Sequence, residues 1–255
     1  MKHLIKYLIT VWLGYLVLFG LSGCAKTEQD PFRVYRKYSS AELYQKGGQA
    51  LAKKHYEQAT KYLEAMDALY PFSPNIEQAE LDLIYAYYMN GAPASSITAA
   101  ERFTRLYPRS AHVDYAYYMR GVVSFSLGLT WLQKAVGTNP GSRDLDNLEQ
   151  ANKAFRELVA LYPDSPYTPD ARLRIVYIRN LLAQRELSIA EFYYEREAYV
   201  AAANRAARIV AHYSGAPVTK QALILMRNAY QKLGLHELQE KTQRIIQANY
   251  PQASA

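Results

Sequence analysis

Leu106-Tyr107-Pro108-Arg109-Ser110 closes an amphipathic run and returns as Leu161-Tyr162-Pro163-Asp164-Ser165. Leu69-Tyr70-Pro71-Phe72-Ser73 is a partial copy, and His212-Tyr213-Ser214 and Asn249-Tyr250-Pro251 are fainter ones. Proline lacks an N–H and clashes with the preceding turn, so each copy reads as the end of a helix. The tyrosines at 70, 107, 162, 213 and 250 are separated by 37, 55, 51 and 37 residues. Spacing in this range is the signature of stacked helical repeats, and the two long gaps mark insertions within repeats.

Setting each proline at position 32 of a 34-residue unit brings five units into phase with the tetratricopeptide pattern, in which small or aromatic residues recur at positions 8, 11, 15, 20 and 24. The first unit, from about Ser40, places Gly47 at 8, Ala59 at 20 and Leu63 at 24. Ser39 and Glu42 fit a capping box at its start. The second places Tyr87 at 11 and Gly91 at 15, where Gly91-Ala92-Pro93 reads as a turn into the next helix. The third places Gly121 at 8 and Gly128 at 15. Its second helix arrives late, with Ala151 at 20 and Phe155 at 24, so Leu129 to Asp146 is an insertion. The fourth, aligned from its end, has Ala190 at 8, Tyr193 at 11 and Ala202 at 20, with Pro169 to Leu182 as extra residues. Thr168-Pro169-Asp170 reads as N-cap, proline and acid at a helix start, so helix 4A is either very long or preceded by a separate helix. The fifth has Tyr230 at 11 and Gly234 at 15. The expected fold is all-α: a tetratricopeptide-like solenoid of about five helix pairs.

Half of the 255 residues are hydrophobic and 21% are charged, as in a folded chain. The 24 tyrosines suit positions that pack on one side and stay wet on the other. Lys2 and Lys6 precede an apolar run, Tyr7 to Leu21, ending in Leu21-Ser22-Gly23-Cys24. This resembles the lipobox of bacterial lipoproteins, which implies cleavage before Cys24 and acylation of its sulfur. A transmembrane anchor with an incidental cysteine is the competing reading. Ala25, in place of the aspartate that retains lipoproteins in the inner membrane, implies the outer one. One acyl chain holds a protein only marginally, so several chains are needed for a stable anchor. The organisation expected is a signal peptide at 1–23, a lipidated tether at 24–38, three repeats with the insertion at 39–166, and two repeats with the long helix at 167–255.

The formal charge of +7 falls to +5 once Lys2 and Lys6 leave with the signal peptide. That excess suits an acidic partner or anionic headgroups; without a dense basic block, nucleic acid is not expected. One cysteine allows no internal disulfide. There is no phosphate loop, HExxH, CxxC or GxSxG. His3, His55, His112, His212 and His236 are scattered and never four apart, and Glu195 and Glu197 flank Arg196 as ordinary charged turn residues. No catalytic residue, metal or cofactor is expected. A solenoid instead offers an extended surface for other chains.

With the lipobox, the repeats and the third-unit insertion, the chain resembles the BamD (ComL) family of lipoproteins of the β-barrel assembly machinery. The resemblance is carried by Tyr70-Pro71-Phe72, Leu81-Asp82-Leu83-Ile84-Tyr85-Ala86-Tyr87-Tyr88, Asp114-Tyr115, Tyr118-Met119-Arg120-Gly121, Arg143-Asp144, Ala190-Glu191-Phe192-Tyr193-Tyr194 and Asn204-Arg205. It implies a lipid-anchored outer-membrane scaffold facing the periplasm. The C-terminal repeats would hold the barrel-forming subunit, with Arg205, Tyr193 and Tyr194 at that contact. The N-terminal repeats would receive unfolded β-barrel outer-membrane proteins, with Tyr85, Tyr88, Tyr115 and Tyr118 lining the groove. The resemblance also implies other assembly lipoproteins as partners. The insertion departs from the enterobacterial pattern. A periplasmic repeat lipoprotein coordinating envelope, cell-division or peptidoglycan processes is the alternative.

Overall fold

The computed structural model describes residues 30–134 and 142–251. Cys24, the rest of the segment before Asp30, and the middle of the insertion lie outside the described residues. Two compact units divide at Ser39/Ser40. In the first, the described residues carry one 3-10 turn, Arg33–Tyr35. The Asp30 carboxylate accepts the Phe32 amide at 2.9 Å and pairs with Arg36 at 2.8 Å, which holds its carboxyl below the usual range.

The second unit is a row of helices: α1 (Ser40–Ala52), α2 (Tyr56–Leu69), α3 (Ile76–Met89), α4 (Pro93–Leu106), α5 (Val113–Lys134), α6 (Ser142–Leu161), α7 (Thr168–Glu195), α8 (Tyr199–His212), α9 (Thr219–Lys232) and α10 (His236–Asn249). Each packs on the next, giving five antiparallel pairs, and no strand occurs among the described residues. Odd-numbered helices also touch across pairs, α1 on α3, α3 on α5 and α7 on α9, so they form one wall of the array.

The recurring tyrosine closes every second helix in the same way. The amides of Tyr70, Tyr107, Tyr162, Tyr213 and Tyr250 donate to the carbonyls of Met66, Phe103, Leu158, Ile209 and Ile246 at 2.7–2.9 Å. Tyr70, Tyr107, Tyr213 and Tyr250 then leave the helix with φ between −138° and −123°. That takes the chain out of the helical region, which the prolines after Tyr70, Tyr107 and Tyr250 disfavour; Tyr213 does the same before Ser214. Serine at position 34 adds a side-chain tie: Ser165 Oγ donates to Asp114 at 2.6 Å, and Ser110 Oγ donates to Glu77. The first unit has Ser40 where those acids stand, and Ser73 Oγ is buried without a partner.

Position 15 makes the turn inside each pair. Gly91 and Gly234 have φ of +74° and +70°, and Lys54 and Glu197 take the same left-handed conformation at +59° and +61°. Glycine adopts it freely, whereas a side chain is strained there. The third unit differs: Gly128 is helical, because the insertion carries α5 on to Lys134 and starts α6 at Ser142. A Cβ on Gly128 would stand 2.6 Å from Leu148, so this glycine serves close packing instead of a turn.

Position 8 faces position 24 throughout. A Cβ on Gly47 would lie 2.8 Å from Leu63, and one on Gly121 only 2.5 Å from the ring of Phe155. In the second unit the sizes are exchanged, Ile84 and Ala100, both fully buried. In the fourth both are alanine (Ala190, Ala206), and in the fifth Arg227 donates to Gln243 at 2.9 Å. Small opposite large keeps each pair close without voids.

Among the described residues, the second and fourth pairs each bury a glutamate. Glu80, 4% exposed, accepts the Tyr107 hydroxyl at 3.3 Å and lies 3.6 Å from Arg102, which reaches Asp67 of α2 at 2.7 Å. Burial pushes the Glu80 carboxyl up, against the pull of Arg102. The fourth pair repeats this with Glu186 and Arg208, at the same offsets from Tyr213. The third inverts it: Tyr117 meets Tyr162 ring to ring, and Arg120 of α5 pairs with Glu157 of α6. The matching residues of the first pair, Leu43 and Ala65, are apolar and fully buried.

The extra residues of the fourth unit are continuous helix: α7 spans 28 residues, about 42 Å at 1.5 Å per residue. Thr168 is its first residue, not its cap, and its hydroxyl donates to the Tyr162 carbonyl at 2.8 Å. The N-terminal half of α7 packs on α6 through Ala171, Ile178 and Leu182, and the C-terminal half on α8.

Candidate functional site

The wall of odd-numbered helices carries a run of phenols. Tyr85, 37% exposed, meets Tyr56 edge-on with ring centroids 6.2 Å apart. Tyr88, Tyr115 and Tyr118 lean on the buried cluster of Leu81, Ile84, Phe103, Val113 and Ala116, each leaving part of its ring accessible. The three-residue spacing of 85/88 and 115/118 puts each pair on one face of its helix. Tyr85 and Tyr118 are both within electrostatic reach of Tyr115, so three of the four expected groove residues come together. Tyr88 joins them through Tyr85.

Three residues not expected from sequence join this cluster. Tyr167, just before α7, stacks on Tyr118 at 4.7 Å with 18° between the rings and contacts Tyr115 at 5.7 Å. Asp170 accepts the Tyr118 hydroxyl at 2.8 Å and is paired with Arg174. Asp82 accepts an amide hydrogen from Gln78 at 2.9 Å and faces the tyrosines of α1 and α5. The signal for Tyr167 was its place two residues after the third Tyr-Pro-x-Ser, where the other copies have no aromatic.

Burial first, then neighbouring phenols and Asp82, pushes Tyr115 far above the usual phenol range, so it stays a hydrogen-bond donor at every physiological pH. Burial also raises the Asp82 carboxyl above its ordinary 3.8, and the bond from Gln78 offsets only part of this. A carboxyl raised on folding favours the folded state while protonated and loses that contribution as pH rises through its folded value. Asp82→Asn should therefore flatten the fall in stability as pH rises from about 4, read from thermal melts across that window. An unchanged slope would place Asp82 in water.

The cluster offers flat aromatic faces, phenol donors and two carboxylates. This suits apolar and aromatic side chains on an extended or helical segment. No group of three or more His, Cys, Asp or Glu suited to a metal occurs among the described residues.

Arg205 lies on α8 and is committed within the chain. Its Nη1 donates to both oxygens of Glu186 at 3.2 and 3.3 Å, and Arg208 stands 3.8 Å from the same carboxylate. The Glu186 side chain is 8% exposed and that of Arg205 34%, so a guanidinium edge still reaches the surface. Tyr193 and Tyr194 lie about two turns further along α7. Tyr194 meets Tyr199 edge-on at 5.3 Å, and Tyr193 meets Phe192 at 5.7 Å. Arg196 sits over the Phe192 ring at 3.6 Å. Glu195, the last residue of α7, and Glu197, in the turn after it, are both exposed.

Residues 36–245 match the family described as YfiO, outer membrane lipoprotein. The outer membrane protein assembly factor BamD of Neisseria meningitidis serogroup A is 35% identical over 250 residues, covering 97% of this chain and 92% of that protein. The protein of that name from Pasteurella multocida is 36% identical over 245 residues, 96% and 91% of the two chains. That from Vibrio cholerae is 35% identical over 236 residues, 92% and 96%.

Proposed function

The chain belongs to the BamD family of outer membrane protein assembly factors, and on that footing we propose that it is a non-catalytic scaffold with two separate protein-binding regions. Its role is in outer membrane protein assembly. The first three pairs receive unfolded β-barrel clients in the groove of Tyr85, Tyr88, Tyr115 and Tyr118, extended by Tyr167. The last two pairs hold the barrel-forming subunit near Arg205, Tyr193 and Tyr194. Acylated Cys24 anchors the protein to the outer membrane, with the repeats facing the periplasm, and other assembly lipoproteins join the complex.

The observation that carries the client site is the stacked cluster of Tyr115, Tyr118 and Tyr167 beside the accessible ring of Tyr85. An aromatic contact contributes about 0.5–1.5 kcal/mol beyond its area, and every 1.4 kcal/mol is tenfold in affinity. Tyr85→Ala combined with Tyr118→Ala should weaken binding of a peptide copied from the C-terminal end of a β-barrel client about tenfold or more, measured by fluorescence anisotropy. Unchanged affinity in a variant with unchanged circular dichroism would remove the groove from the client path. For the function itself, depletion of the protein should lower many β-barrel proteins of the outer membrane together; steady barrel levels would count against the scaffold.

A further inference from the structure

The first half of α7 has a face that nothing in the described residues covers. Leu173 is 71% exposed, Val176 44% and Tyr177 50%. Their spacing puts them on one stripe of the helix. These residues fall in the stretch that lengthens α7 beyond α8, which has only 14 residues. The stripe is not needed to hold α7 on the third pair, because Ala171, Ile178 and Leu182 already bury the opposite side.

Its borders are basic. From Pro169 to Arg185 there are four arginines, Arg172, Arg174, Arg179 and Arg185, and one acid, Asp170. Helical geometry sets Arg172 and Arg179 on one edge of the apolar stripe and Arg174 on the other. Arg174 is fixed there, paired with Asp170 and lying over the rings of Phe125 and Phe155 at 5.0 and 5.9 Å. Arg172 and Arg179 form no salt bridge with any carboxylate among the described residues; Arg179 turns to Asn180 instead. Tyr177 leans edge-on against Phe125 of α5 at 5.8 Å, so the stripe borders a seam between two helices.

We propose that this face docks an amphipathic acidic segment of another polypeptide, its apolar residues on Leu173, Val176 and Tyr177 and its carboxylates on Arg172 and Arg179. An apolar centre with a charged rim is the anatomy of a protein contact. The free guanidinium groups of Arg172 and Arg179 on one border call for carboxylates along the matching side of the incoming apolar stripe, and bidentate pairing would fix its register. A rod-shaped segment fits the seam beside Phe125 better than a flat bilayer does. The site is separate from the tyrosine groove and does not depend on what that groove binds.

The test uses the soluble chain from residue 25 onward and a fluorescent peptide of about 18 residues, with Leu and Phe at i, i+3, i+4 and i+7 and Glu along one flank. The acidic peptide should bind, and a counterpart with Lys for Glu should bind at least tenfold more weakly. Leu173→Ser with Val176→Ser should weaken binding about tenfold, as should Arg172→Glu with Arg179→Glu, the latter also reversing its salt dependence. Leu173, Val176 and Arg172 are exposed and Arg179 is half-buried without a salt bridge, so the folded state should persist, as circular dichroism will show. Tyr85→Ala with Tyr118→Ala should leave this binding unchanged, which separates its failure from failure of the client groove. No binding of the acidic peptide, equal binding of the basic one, or indifference to both α7 variants overturns the proposal. So does sedimentation with phosphatidylethanolamine–phosphatidylglycerol vesicles that these α7 variants abolish, which would make the face a membrane contact.

Discussion

Phe155→Ala should lower the stability of the repeat array by about 3–5 kcal/mol, the cost of emptying a fully buried aromatic site. For a chain of this size each kcal/mol moves the melting temperature by about 2–4 °C, so the loss is well within reach of a thermal melt. The ring fills the space left by Gly121, where an added Cβ would lie 2.5 Å from Cε1. Gly121→Ala alone should therefore also destabilise. Overpacking of about 1–3 kcal/mol outweighs the gain of up to about 1 kcal/mol from alanine in a helix. The two changes together should cost clearly less than their sum, since the methyl enters the space the ring has left. Additivity to within about 0.5 kcal/mol would mean that position 8 does not face position 24 in this pair.

Arg205→Glu should cost about 3 kcal/mol of stability before any partner is considered. It removes one member of a buried pair and sets a second carboxylate against Glu186; such losses run at about 3–5 kcal/mol. Arg208, 3.8 Å away, keeps the value toward the lower end. Loss of the complex in that variant would report unfolding as readily as a lost contact. Arg205→Gln with Glu186→Gln removes both charges and leaves an amide pair of similar shape. If Arg205 meets an acidic group of the barrel-forming subunit, this double variant should melt near the parent and still lose about tenfold in co-purification. Full recovery of the complex would take Arg205 out of the interface.

The repeat pattern was legible because its carriers are local. Tyr-Pro-x-Ser ends a helix through the tyrosine amide and the proline ring, and glycine at position 15 turns the chain through its own φ. Such features need no knowledge of distant residues. Lys54 and Glu197 occupy the same turn under strain, so composition hid what spacing revealed. The insertion was visible as a delay but its conformation was not, since helix extension keeps the same amphipathic period. Glu80 and Glu186 gave no sign of burial, because their partners lie 19 residues or more away and only packing brings them near. The tyrosine groove was half legible. Tyr85, Tyr88, Tyr115 and Tyr118 announce themselves by helical spacing, whereas Tyr167 and Asp170 reach it only because α7 begins beside α5.

The ion pair that joins Asp67 of the first helix pair to Arg102 of the second limits how such a chain can grow. A duplicated second pair would offer Thr104, three residues before its tyrosine, where Asp67 stands three residues before Tyr70. The new guanidinium would find a hydroxyl in place of a carboxylate, beside another sequestered glutamate. Copying one module is thus penalised at the joint, and the order of the segments is written into their side chains. A deletion that brings the third pair onto the first should leave Asp67 facing Glu157, acid against acid, and such a shortened chain should aggregate instead of restacking.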